Sequence, residues 1–193
     1  MPHPTYLRTD TLDDATSSFE LALEFYEQAQ HDERLWKWFV LALHSGVQGS
    51  FALALKGSDG LLVQKPRVAA QTIAAFEAQA VPPAPHMDNF LRLYGKLQTS
   101  GNLPSSDALP LPQSEEHAAG IAALDELRDN FLHFNTKSWS ISKDLMREKA
   151  RICIDVARFL LLESRSIRIF EDAQLARATT AITELAERLK VDA

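Results

Sequence analysis

The sequence predicts an all-α protein, a single-domain antiparallel bundle of about six to seven helices spanning residues 1–193. Three observations predict it. Apolar residues recur at steps of three and four along almost the whole chain, no useful stretch alternates with period two, and capping or breaking residues fall between the periodic segments. The 193 residues are 46% hydrophobic and 24% charged, a composition that can bury one sizeable core.

The first helix carries Leu12, Ala15, Phe19, Ala22, Leu23 and Tyr26 in one apolar stripe, with Thr11 or Asp10 as its cap and Asp13 and Asp14 suited to the positive end of the helix dipole. A second helix, from about Asp32 to Lys56, bears Trp36, Phe39, Val40, Leu43, Val47, Phe51 and Leu55 and is apolar nearly all round, as expected of a central helix. Gly46 and Gly49 on it suit a close helix contact, and Gly57 stands where a helix-ending glycine is expected. Pro66 suits the first turn of a third helix running to about Gln79, which Pro82-Pro83-Ala84-Pro85 stops. Asp88 is the expected cap of a short fourth helix through Gln98, followed by an irregular connection at 99–113 containing Gly101, Pro104, Pro110 and Pro112.

Ser114, with Glu115 and Glu116 behind it, opens a fifth helix carrying Ala118, Ile121, Leu124, Leu127, Phe131 and Leu132 towards His133. Asn135-Thr136-Lys137-Ser138 breaks it. Ser142 caps a sixth helix to about Ser164, and a seventh spans about 170–190 with Leu175, Ala178, Ile182, Leu185 and Leu189. The most apolar stretch, Trp36 to Leu55, is interrupted by His44, Ser45, Gln48, Gly49 and Ser50. It reads as a buried helix, with no membrane partner expected. Met1-Pro2-His3-Pro4 lacks the basic-then-apolar pattern of a secretion signal, and a cytoplasmic location is the expectation. The single cysteine, Cys153, allows no intrachain disulfide.

A formal net charge of −6 argues against coating nucleic acid through bulk charge, while leaving room for a local basic site. Segment 137–168 reverses the balance, with eight Lys and Arg against four Asp and Glu. Lys143, Arg147, Arg151, Arg158 and Arg165 project within a sector of about 80° on an ideal helix. With Lys137 they make either an RNA-facing strip or a solvated face laced with ion pairs to Asp144, Glu148 and Asp155.

Of six histidines, one has chemically informative neighbours: Arg128-Asp129-Asn130-Phe131-Leu132-His133. Arginine offers a permanent planar cation for a phosphate, and histidine moves protons near neutral pH. Together they suffice for RNA cleavage without a metal, the imidazole assisting the ribose 2′-hydroxyl or the leaving oxygen and the guanidinium stabilising phosphoryl charge. On a regular helix Asp129 and His133 share a face but Arg128 and His133 stand about 140° apart, so Arg128 must use its length, a distorted helix end or a second subunit. A surface pairing of Arg128 with Asp125 or Glu126 is the alternative. His44 reads as a satisfied core histidine, and no metal-ligand spacing or phosphate-cradling glycine loop occurs, so neither a metal nor a cofactor is expected.

The stretch Leu127-Arg128-Asp129-Asn130-Phe131-Leu132-His133-Phe134-Asn135, continued by Lys137, Trp139, Ser140 and Ile141, resembles the HEPN family of small helical domains found in many prokaryotic RNases and toxins. Arg128 and His133 match the family's arginine and histidine, and Asp129 or Asn130 matches its intervening polar position. Phe134-Asn135-Thr136 replaces the Tyr-x-Tyr pattern that follows the histidine in some members. The resemblance implies a bundle that pairs with a second copy, an RNA substrate, an antitoxin or other protein partner, and either ribonuclease activity or a non-catalytic binding role. Trp36, Trp38 and Trp139 are expected to take core roles rather than to stack on bases, Trp38 at an edge or interface and Trp139 over the end of the motif helix.

Overall fold

The computed structural model describes residues 9–133, 138–167 and 171–191. Among them the chain forms seven α-helices and no strand: α1 (Thr11–Ala29), α2 (Trp36–Leu55), α3 (Pro66–Glu77), α4 (Phe90–Leu97), α5 (Glu115–Leu132), α6 (Lys143–Arg158) and α7 (Asp172–Val191). The all-α bundle follows from burial of apolar residues on α1, α2 and α4–α7, whereas α3 buries only Thr72. Asp10 caps α1 by accepting from the Leu12 and Asp13 N–H groups, and Ser114 and Ser142 cap α5 and α6 in the expected way.

α2 is the hub, touching α1, α4, α5 and α6. Its expected start at Asp32 is instead the cap of a 3₁₀ turn, Glu33–Leu35, that leads into it. Gly46 and Gly49 let α1 approach closely: a Cβ at Gly46 would stand 2.7 Å from the Phe19 ring, and one at Gly49 would stand 2.6 Å from Ala15 Cβ. Tyr26, Trp36 and Phe39 lock the other end of this helix pair through ring contacts of 5.3–5.8 Å between centroids. Among the described residues one segment, Glu33–Leu55, is long and apolar enough to cross a bilayer, and more than half of its most apolar window is buried against the rest of the chain.

The fourth helix departs from expectation in an informative way. Asn89, not Asp88, is its cap, accepting from the Arg92 N–H at 2.9 Å. Asp88 is buried and committed elsewhere. Lys96 Nζ lies 2.9 Å from its Oδ2 while donating to the carbonyls of Leu62 and Gln64 at 2.8 and 3.0 Å. Burial works to raise the Asp88 carboxyl, but Lys96, the Asn89 N–H and Arg92 together hold it below the ordinary range. An isolated antiparallel bridge between Gln64 and Met87 closes the same staple, so the loop after α2 is tied to α4 through Lys96, whose ammonium joins two loop carbonyls to the buried Asp88.

Three further expectations are corrected. α6 ends at Arg158 and passes into a π turn, Phe159–Glu163, instead of remaining α-helical to Ser164. Arg165 follows that turn with φ of 59° and so leaves the helical sector of Lys143, Arg147, Arg151 and Arg158. Trp38 and Trp139 are 49% and 42% exposed and are not core residues, whereas Trp36 is buried. The connection at 99–113 is irregular as expected, with one 3₁₀ turn, Ser100–Asn102, and it sends Ala108 and Leu111 into the core.

Candidate functional site

The site is built at the C-terminal end of α5. Ile121, Leu124 and Leu127 bury one face of that helix against the core, which turns Asp125, Arg128 and Asp129 towards its margin. Phe131 packs partly on the core and meets the edge of Trp139 at 4.9 Å, as expected of a tryptophan covering the end of the motif helix. His133 is the C-cap, with φ of −90° and ψ of 12°, its N–H donating to the Asp129 carbonyl.

Arg128 is only 25% exposed on its side chain, and each arm of its fork has a neighbour. Nη2 donates to Asp125 Oδ1 at 2.6 Å, Nε donates towards His44 Nε2 at 3.4 Å, and Nη1 lies 2.5 Å from Asp129 Oδ1. His133 Nε2 approaches that same Asp129 oxygen at 3.8 Å, and its side chain is 69% exposed. The guanidinium and the imidazole, separated around the helix axis, therefore converge on one carboxylate oxygen through the length of the arginine. Although close to both side chains, Asp129 Oδ1 is buried with no aligned hydrogen bond among the described residues. The contact with Asp125 is aligned; the one with Asp129 is not.

His44, expected to be a satisfied core histidine, is 5% exposed, stacks on Phe90 at 4.2 Å between ring centroids, and lies 3.2 Å from Asp125 Oδ1. Burial, reinforced by the Arg128 charge, pushes its pKa down to about 4 against the pull of Asp125 and Asp129, so the ring is neutral at pH 7. Its link to Arg128 was not foreseeable from local sequence. It joins α2 to α5 across 84 positions, and no spacing rule connects them.

Asn130 sits half-buried on α5 beside these groups. Lys137 lies outside the described residues. Four basic residues of the strip each meet an acid: Lys143 pairs with Glu33 at 2.5 Å, Arg147 with Asp144 at 2.7 Å, Arg151 with Asp155 and Glu116 at 3.0 and 3.3 Å, and Arg158 with Glu163 at 3.2 Å. Arg147 also donates to Gln30 and lies over the Trp36 ring. The strip thus binds α6 to its neighbours. Among the described residues no three His, Cys, Asp or Glu side chains group in a way that could hold a metal ion, and Cys153 is buried, which raises its thiol pKa and makes it a poor nucleophile. Comparisons with family models, with curated proteins and with solved structures return no match for this chain.

Proposed function

We propose that this protein is a HEPN-like endoribonuclease, of the toxin-like kind, that cleaves RNA without a metal by attack of the ribose 2′-hydroxyl on the adjacent phosphate. The observation that carries the reading is the convergence of Arg128 Nη1 and His133 Nε2 on one oxygen, Asp129 Oδ1. A carboxylate oxygen there stands in for a phosphoryl oxygen. In the reaction the 2′-oxygen bonds to phosphorus, the bond to the 5′-oxygen breaks, and a 2′,3′-cyclic phosphate and a 5′-hydroxyl result. His133, whose side chain is exposed, takes the 2′-hydroxyl proton or supplies one to the departing oxygen. Arg128 balances charge on the phosphoryl oxygens, and Asp129 or Asn130 orients the imidazole or the ribose. A second copy of the chain would bring a second such pair to one RNA, and an antitoxin protein would be a natural regulator of the activity.

A second reading is a non-catalytic HEPN-like module that binds RNA or a protein partner. It is favoured by the carboxylates already present: Arg128 meets Asp125 and Asp129, and Lys143, Arg147 and Arg151 are each paired. Incubating the protein with total RNA and a chelator, beside His133→Ala and Arg128→Ala, separates the two. Cleavage that survives the chelator and disappears in both variants supports the nuclease. Absence of cleavage in all three favours the module, and equal cleavage in all three marks a contaminant.

A further inference from the structure

Arg128 is held on two sides by groups that the proposed reaction does not use. His44 projects from the hub helix α2, fixed by its stacking on Phe90, and Asp125 lies one turn before Arg128 on α5. Asp125 Oδ1 is shared, lying 2.6 Å from Arg128 Nη2 and 3.2 Å from His44 Nε2. His44 Nε2 in turn faces Arg128 Nε at 3.4 Å. A neutral imidazole nitrogen either donates or accepts. Protonated at Nε2, His44 braces Asp125, which grips Arg128; unprotonated there, it accepts from Arg128 Nε directly. In both tautomers the Nε–Nη2 edge of the guanidinium is tied to the core, and a neutral His44 leaves the positive charge of Arg128 undiminished by a second cation.

The outer edge is different. Among the described residues Nη1 faces the unaligned Asp129 Oδ1, next to His133. We propose that His44 and Asp125 are positioning residues for Arg128, holding its inner edge so that Nη1 can exchange Asp129 for a phosphate oxygen beside His133. Fixing a flexible fork before the anion arrives removes an ordering cost at the moment of binding or reaction. The activity consequence rests on the ribonuclease reading; the positioning itself does not.

The test uses the full chain with His44→Phe, His44→Gln and Asp125→Asn. The first readout is the Arg128 side-chain Nε–H signal in a ¹⁵N–¹H spectrum, identified by its disappearance in Arg128→Lys. The expected result is a slowly exchanging signal in the wild type that is lost or fast-exchanging in His44→Phe and Asp125→Asn and recovered in His44→Gln, whose amide can donate and accept on separate atoms. The second is RNA cleavage in chelator, where His44→Phe should lower kcat by about ten- to a hundredfold with KM changed by less than about threefold, and His44→Gln should restore most of the loss. An Arg128 signal equally protected in the wild type and in folded His44→Phe and Asp125→Asn would overturn the proposal, as would wild-type kcat in those variants. If His44→Phe does not fold, Asp125→Asn decides. If the wild type cleaves no RNA, the ribonuclease reading fails while the Nε–H signal still decides whether Arg128 is positioned.

Discussion

Arg128 and His133 address the same atom: Asp129 Oδ1 lies 2.5 Å from one side chain and 3.8 Å from the other. Five residues apart on a helix, they would point in different directions if both were short. The reach of the arginine and the position of the histidine at the helix end remove that obstacle within one chain.

On the proposed ribonuclease reading Asp129 Oδ1 holds the place of a phosphoryl oxygen, so Asp129→Ala should have opposite effects on binding and turnover. Removing a negative charge from an anion site should tighten RNA binding by about three- to tenfold at low salt. Losing the partner of His133 should slow cleavage by about ten- to a hundredfold. Fluorescence anisotropy with labelled RNA and a single-turnover cleavage assay check the two halves.

Stability should fall on mild acidification. His44 is held at about 4 in the folded chain against 6.5 for the ordinary imidazole. Below pH 6.5 the unfolded chain takes up a proton that the folded chain refuses, so stability decreases progressively as pH falls from about 6.5 to about 4, by up to about 3 kcal/mol. Asp88, whose carboxyl is lowered, loses its contribution only at more acidic pH. Urea unfolding between pH 7.5 and 4 should show the first slope in the wild type and not in folded His44→Gln.

Two glycines should behave in opposite ways. Gly49→Ala places its Cβ 2.6 Å from Ala15 Cβ and 3.3 Å from Ala15 Cα, against backbone that cannot move aside, and should destabilise the chain by about 1–3 kcal/mol. Gly95 in α4 has nothing within 4 Å of such a Cβ, and Gly95→Ala should stabilise by about 0.5–1 kcal/mol. Chemical denaturation of the two variants measures both.

The buried staple should be expensive to break from one side. Lys96→Met leaves Asp88 buried without its nearest cation and should cost about 3–5 kcal/mol, whereas changing both residues to apolar partners of similar size should cost less. A double-mutant cycle read by denaturant unfolding checks this.

Much of the fold was legible because its signals are local. Asp10, Ser114 and Ser142 cap the helices they precede, since each needs only N–H groups two or three residues away. The failures arise where a distant partner competes. Asp88 reads as a cap, but Lys96 and the Gln64–Met87 bridge claim it, and Asn89 takes the role. The end of α6 gives no Gly or Pro to mark the π turn at Phe159–Glu163. At the site, the pairing of Arg128 with Asp125 lies within one turn and was one of the two pairings expected, and the approach of Asp129 to His133 was expected too. The contribution of His44 depends on how α2 packs against α5, which no pattern within either helix encodes. The basic sector of α6 was visible as a spacing, but only the packed helices show which acids its members meet.

The central claim is that Arg128 and His133 together cleave RNA through the 2′-hydroxyl. Its most direct measurement is product-end analysis of RNA incubated in chelator with the wild type, Arg128→Ala and His133→Ala. The account predicts new 2′,3′-cyclic phosphate and 5′-hydroxyl ends with the wild type alone. No new ends with the wild type, or the same ends in equal yield from either variant, would contradict it.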